Sequence, residues 1–239
     1  AGYLFISPWI VGFLIFTAGA MIFSLGLVFF KTDLLTGFNF YGLRNITKML
    51  SDPLYHKSLQ VTSYYAFAVV PLSLAIGLII ALGLNQGLPA QSLWRTLYYL
   101  PSVTSGIAVA MLWMWIFHPD AGLLNQALLM AGIEGPRWLY SENWAVPAFI
   151  IMGAWGAGGN MLLYLAGLQG IPTHLYEAAR IDGASSLRTF WAITIPMLSP
   201  TIFFNLIMGI IGSFQIFTQA LVMTSGGPNN ATLTIMLYL

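Results

Sequence analysis

The sequence predicts an all-α fold, a polytopic transmembrane helical bundle of about six spans. Three observations carry that expectation. Of the 239 residues, 58% are hydrophobic and only 6% charged, whereas a soluble domain spends about 25% on charge because its surface faces water. The charges also cluster: none falls in residues 1–30, 58–94, 96–119, 143–176 or 189–239. Each of these runs reaches the ~20 apolar residues that a helix needs to cross a ~30 Å hydrocarbon layer. Lastly, the ten-residue alternating segments of a transmembrane barrel are absent. Helices are the default because the bilayer offers no water to an open backbone. A soluble fold, a nucleic-acid binder and a disordered chain are thereby excluded.

Taken in order, the spans fall at about 4–30, 59–84, 96–117, 145–168 and 198–223, with a sixth opening near 232. The first run is long for a signal-peptide core and no positive stretch precedes it, so it reads as a retained span. Pro71, Pro101, Pro147 and Pro200 sit in or beside spans and are expected to bend or end them. Trp113 and Trp115 read as lipid-facing or interfacial anchors. Ala1 is not a methionine, and Leu233–Leu239 reads as a span that stops before it can cross. The chain is thus expected to be one transmembrane domain over 1–239, trimmed at both ends, its last span truncated.

Four connections join the spans. Residues 31–58 hold six charges and an amphipathic stretch in which Leu43, Ile46, Met49 and Leu50 recur at helical spacing. Residues 85–94 are short and polar. Residues 118–143 carry the turn signals Pro119-Asp120 and Gly135-Pro136, and Trp138, Tyr140 and the adjoining Trp144 are expected at a membrane surface. Charge does not orient the bundle. With the N-terminus inside, Arg95, Arg180 and Arg188 lie on inner loops, against Lys31, Arg44, Lys48, Lys57 and Arg137 on outer ones. That count leans against the positive-inside rule.

Most chemistry is excluded. No lysine follows a glycine, so the chain has no phosphate-binding loop and no route of that kind to ATP hydrolysis. His56, His118 and His174 are isolated, without zinc spacing. There is no Gly-x-Ser-x-Gly turn and no cysteine. No catalytic residue and no metal site is expected, and an enzyme is not. The five spans hold no Asp, Glu, Lys, Arg or His, which argues against proton coupling and for a solute that is uncharged or handled by neutral groups.

The last connection, residues 169–197, differs from the others. Thr173 can cap a short helix, with Glu177 in its first turns at the positive end of the macrodipole. Ala178 and Ala179 keep one side small, so another surface can approach. Gly183 falls where a left-handed residue would end the helix. Ser185 or Ser186 then caps a second helix over 187–194, which Pro196 should stop. The expectation is helix, sharp turn, helix.

On these residues the chain resembles a known family. Glu177-Ala178-Ala179, three residues, Gly183, nine residues, Ile193 and then Ile195-Pro196 is similar to the EAA loop of binding-protein-dependent ABC importer permeases. The family pattern ends in Leu-Pro, and Ile195 keeps its apolar character. Gly42-Leu43-Arg44-Asn45, Leu100-Pro101, Gly122–Asn125, Leu165–Gln169 and Thr224–Pro228 follow in the family's order. They resemble its carbohydrate branch, the first permease of maltose and glycerol-phosphate importers.

The resemblance implies a type I importer permease fold and inward movement of a sugar by alternating access. It implies a cytoplasmic coupling loop at 169–197 whose Glu177, Ala178, Ala179, Asp182, Gly183, Ile193 and Pro196 engage an ATPase. It places 31–58 outside. The implied partners are a second homologous permease, two ABC ATPase subunits carrying ATP and Mg, and an extracytoplasmic solute-binding protein. The setting is a bacterial or archaeal inner membrane, with no cofactor on this chain. For the substrate path, two polar stripes at spacings of three and four are candidates: Gly153, Gly156, Asn160, Tyr164 and Gly167, and Asn205, Gly209, Gly212, Gln215 and Gln219. Close helix packing through small residues explains them equally well. The rival from another class is a self-sufficient secondary transporter or channel for a neutral solute.

Overall fold

The computed structural model describes residues 2–32, 37–87 and 89–239. The chain divides into two units, Ala1–His56 and Lys57–Leu239.

In the first unit, α1 (Gly2–Gly12), a π-helical stretch Phe13–Gly19 and α2 (Ala20–Leu27) form one apolar run of 26 residues. None of its residues is buried. A helix apolar all round with no covered face is suited to lipid or to another chain. Two short strands follow. β1 (Phe30–Thr32) pairs antiparallel with β2 (Phe38–Phe40), with Phe30 opposite Phe40. This hairpin is absent from the sequence expectation because three-residue strands are too short for period two to register. Residues 33–36 of the expected outer loop 31–58 lie outside the described residues. The amphipathic stretch of that loop does form α3 (Arg44–Ser51). Asn45 ties it to the end of α2, donating from Nδ2 to the Val28 and Phe30 carbonyls at 2.9 and 3.0 Å.

The second unit carries the candidate site. α4 (Pro53–Leu84), which begins in the first unit, is a single helix of 32 residues. Pro71 does not end it, because neighbouring helices in a membrane hold the backbone that proline leaves unpaired. α5 (Gln91–Val103) and α6 (Gly106–Ile116) cover the expected span 96–117 and meet at 97°, just after the Pro101 that was expected to bend or end it. Pro101 withholds an N–H near the end of α5, and Thr104 turns its hydroxyl back onto the Leu100 carbonyl at 2.9 Å. Both favour an exit from the helix at Thr104-Ser105.

α7 (Leu123–Met130) and a 3-10 turn at Trp138–Tyr140 fill the following loop. Trp138 is not at the surface expected of it. It is buried, and its indole N–H donates to Asn125 Oδ1 at 2.6 Å. Trp113 is likewise buried, against Phe117 and Trp155, while Trp115 is exposed. The indole of each buried tryptophan covers more apolar area inside a core than an anchor role would use.

α8 (Ala145–Trp155) and α9 (Gly158–Gln169) form the fourth span with a 41° bend. Glycine-rich sequence at the bend serves close approach. A Cβ on Gly158 would collide with the Tyr98 carbonyl of α5. α10 (Thr173–Ile181) and α11 (Ser186–Thr189) make the elbow. A π-helical turn Phe190–Thr194 then leads without a break into α12 (Ile195–Phe214). Pro196 therefore does not stop the second helix. It sits in the first positions of α12, where the wider π turn absorbs its missing N–H.

α12 ends at Phe214 rather than continuing to 223. The chain turns so that Ile216, Ala220 and Met223 enter the core, and the Ile216 carbonyl accepts the Thr234 hydroxyl at 2.9 Å. A π turn (Ala220–Thr224) precedes a loop in which Ser225, Gly226, Asn229 and Asn230 have positive φ. Thr224 and Thr232 hydroxyls meet at 2.6 Å across that loop. α13 (Ile235–Tyr238) opens where the sixth span was expected, and its first N–H donates to Thr62 Oγ1 of α4 at 2.8 Å.

Two apolar clusters hold this unit. One gathers Val61, Tyr65 and Val69 of α4, Trp113 of α6 and Phe117 just after it, Phe149 and Met152 of α8, and Ile216. The other gathers Ala81 and Leu84 of α4 with Met161, Tyr164 and Leu165 of α9 and Leu198 of α12. Lipid is as apolar as these side chains, so close packing rather than escape from water must hold them. Among the described residues three runs are long and apolar enough to span, or up to five if each bent pair is one span.

Candidate functional site: a neutral cleft and an exposed elbow

A cleft of about 350 Å³ lies among α4, α8–α9 and α12. Its polar lining comes from Tyr65 and Ser73 of α4, Asn160 of α9 and Ser213 of α12, and its floor from Gly209 and Gly212. None of the residues that line it is charged. Hydroxyls and one amide can exchange hydrogen bonds with a polyol in either direction, and nothing in the cleft selects for an ion.

The structure separates the two uses of the glycine stripes, residue by residue. Gly153 and Gly167 are packing glycines. A Cβ would stand 2.6 Å from Val69 Cγ2 at the first and 2.8 Å from Leu198 Cδ2 at the second. Gly212 has nothing within 4 Å and opens on the cleft.

Of the side chains expected on a path, Asn160 alone lines this cleft. Tyr164 and Asn205 are at most 2% exposed, Tyr164 inside the second apolar cluster. Asn205 Nδ2 is buried without a partner among the described residues. Tyr164 lies one turn further along α9 than Asn160, past the end of the cleft and inside the second cluster. Gln215 ends α12, and Gln219 belongs to the turn that follows, so the second stripe does not run on one helix. Tyr65, Ser73 and Ser213 were missed. Their signal is hydroxyls spaced along otherwise apolar helices.

The elbow is built from backbone hydrogen bonds. Gly183 has φ +71. The Ala184 N–H donates to the Ala179 carbonyl at 2.9 Å and the Gly183 N–H to the Arg180 carbonyl at 3.1 Å. This pair of bonds is the Schellman closure that a left-handed residue makes possible. Ser185 Oγ accepts the Arg188 N–H at 3.3 Å and caps α11. The N-terminus of α10 departs from expectation. Pro172 is its cap and Thr173 its first helical residue, which leaves Glu177 beyond the first turn and outside the strong part of the macrodipole.

Ala179 is buried in the chain, Ile193 is half-buried, and Glu177, Ala178, Asp182 and Pro196 are exposed. Three large apolar side chains also stand in the open: Ile181 at 86%, Leu187 at 69% and Trp191 at 63% exposure. Sequence reading did not single them out because isolated apolar residues in a membrane protein carry no signal. The Tyr176 and Thr194 hydroxyls meet at 3.1 Å, linking α10 to the π turn before α12.

Residues 73–238 match the family described as binding-protein-dependent transport system inner membrane component. The chain belongs to this family. The permease is 43% identical over its whole length to a probable ABC transporter permease, YesP of Bacillus subtilis, covering 79% of that protein. It is 38% identical to the lactose transport system permease protein LacF of Rhizobium radiobacter, covering all of the chain and 81% of the relative. Its fold matches a bacterial ABC transporter involved in the import of the acidic polysaccharide alginate. That match has a TM-score of 0.82 and 24% identity, over 99% of this chain and 81% of that one. The permease is a multi-pass importer subunit, not an enzyme.

Proposed function

We propose that this permease moves a sugar or sugar-like solute into the cell by alternating access, across the cytoplasmic membrane of a bacterium or archaeon. It works beside a second homologous permease, with two ATPase subunits inside and a solute-binding protein outside. ATP and Mg are held by the ATPases, and this chain carries no cofactor. The uncharged cleft suits a hydroxyl-rich solute, and the lactose permease among the relatives supports a carbohydrate.

The observation that carries this reading is the elbow. A Schellman-closed turn at Gly183 presents Ile181, Leu187 and Trp191 to the outside of the chain. Exposed apolar side chains on a rigid turn fit the groove of a partner. Glu177 and Asp182 supply the polar rim, and the small exposed Ala178 allows close approach. From there the continuous run through Ile193 and Pro196 passes any tilt of the elbow into α12, whose Ser213 lines the cleft. The Tyr176–Thr194 contact makes α10 move with that run.

The test is reconstitution into proteoliposomes. Uptake is expected only when the second permease, the ATPases, ATP and the binding protein are all supplied. Uptake by this chain alone would overturn the reading.

A further inference from the structure

α3 has two unlike sides. At about 100° per residue, Leu43 at its cap and Ile46, Met49 and Leu50 fall within about 120° of arc, with Arg44 and Lys48 opposite. The helix carries no carboxylate. Ile46 and Met49 are half-buried within the unit. Leu43 and Leu50, at the other edge of the apolar arc, are 62% and 52% exposed. We propose that this exposed edge lies in the membrane–water interface, and that anionic phospholipid headgroups hold α3 there by its basic side.

The ends of the helix fix its depth. The run from α1 to α2 is roughly 35–40 Å long, more than the ~30 Å of hydrocarbon, so its end stands among headgroups. Asn45 fastens α3 to that end through the Val28 and Phe30 carbonyls. On the other side a single residue, Asp52, separates α3 from the spanning helix α4. Asp52 Oδ1 accepts the Leu54 N–H at 2.8 Å, and His56 Nε2 lies 2.7 Å from the Leu50 carbonyl, so hydrogen bonds close the corner. A short helix tied at both ends to spanning helices stays at the surface, where burying its leucines in the interface is favourable. The hairpin before it has the same character. Phe38 and Phe40 share one face and are exposed, and the Phe30 ring packs edge-on against both.

The charges fit a lipid surface. Interfacial helices bind through buried apolar area together with the attraction of Lys and Arg for anionic lipid. That attraction fades within a Debye length, so the cations must stand close to the phosphates. Arg44 and Lys48 can lay their stems along apolar surface and bring their charges to headgroup level. The Arg44 guanidinium rests over the Tyr41 ring, 5.3 Å from its centroid, which keeps it near the surface of the unit. These two are among the five outer cations that run against the positive-inside count, and headgroup binding gives them a use on that side. Which leaflet they meet rests on the orientation proposed above, which puts residues 31–58 outside. The lipid contact itself does not.

The chain has no cysteine, so Leu50→Cys and, separately, Lys48→Cys can each carry a nitroxide in the complete transporter, its partner subunits made cysteine-free. The vesicles are phosphatidylcholine with or without phosphatidylglycerol. Collision with oxygen, which gathers in lipid, is compared with collision with a neutral nickel chelate, which stays in water. Positions 48 and 50 stand about 160° apart on the helix, so the oxygen-to-nickel ratio should be about threefold or more higher at 50. Phosphatidylglycerol should raise the ratio at 50 about twofold, and Arg44→Gln with Lys48→Gln should cancel the rise. Equal ratios at the two positions, or free access of nickel to position 50, would overturn the proposal. So would a ratio at 50 indifferent to phosphatidylglycerol. A ratio that responds only to added binding protein would make α3 a protein-docking surface and overturn it too. A membrane-impermeant maleimide on Lys48→Cys reads the side separately. Labelling from inside would defeat the proposed orientation and leave the headgroup contact standing.

Discussion

Gly77 of α4 lies so close to Asn160 of α9 that a Cβ at position 77 would stand 2.9 Å from the Asn160 Cβ. It would also stand 3.2 Å from the Ala157 carbonyl and the Met161 nitrogen. The approach is backbone to backbone, and it is what leaves the Asn160 amide facing the cleft. Gly77→Val should force the helices apart and destabilise the permease by about 1–3 kcal/mol, the usual cost of overpacking. Gly212→Ala meets nothing and should leave stability level or higher, because alanine suits a helix better than glycine. Melting temperatures of the two purified variants check this.

Asn160→Ala should reduce sugar uptake several-fold while the complex assembles and melts normally. Asn205→Ala should do the reverse in kind, lowering the melting temperature because truncating a fully buried side chain leaves a cavity in a close-packed core. Transport and thermal denaturation measured on both variants separate cleft from core. Equal uptake for Asn160→Ala and the parent would remove Asn160 from the path.

Asn125 accepts the Trp138 indole N–H and donates to the Pro119 and Pro136 carbonyls at 2.8 and 3.2 Å. Removing it orphans the buried indole. Asn125→Ala should cost about 1–3 kcal/mol, as an unpaired buried donor does. A thermal shift of the assembled complex reads the effect.

Gly183→Val should uncouple ATP turnover from uptake. A β-branched residue resists the φ of +71 found there, and without it the Ala184–Ala179 closure cannot form. ATP hydrolysed per sugar imported is the quantity to measure, and an unchanged ratio would mean that the left-handed turn does not matter.

What the sequence made legible follows from what has a period or a charge. The apolar runs placed the spans, and the amphipathic Leu43–Leu50 stretch became α3. Gly183 announced the elbow because glycine alone enters the left-handed region freely. The failures lie where tertiary contacts decide. Pro71 and Pro196 read as breaks but sit inside helical runs held by neighbours or eased by a π turn. The 97° corner after Val103 has no hydropathy signature, since both arms are apolar, and only Pro101 marked it. Tyr164 and Asn205 kept helical spacing on paper, but each lies one turn beyond the cleft, buried in the interior, and Gln219 falls past the end of α12. The cleft hydroxyls of Ser73 and Ser213 looked like ordinary small residues.

Cross-linking from Ile181 tests the central claim most directly. Ile181→Cys in the otherwise cysteine-free chain, fitted with a short photo-reactive group in the complete transporter, should link to an ATPase subunit and be labelled only from the cytoplasmic side. A link to the external binding protein, or labelling from outside, would place the elbow on the wrong face of the membrane and contradict the account.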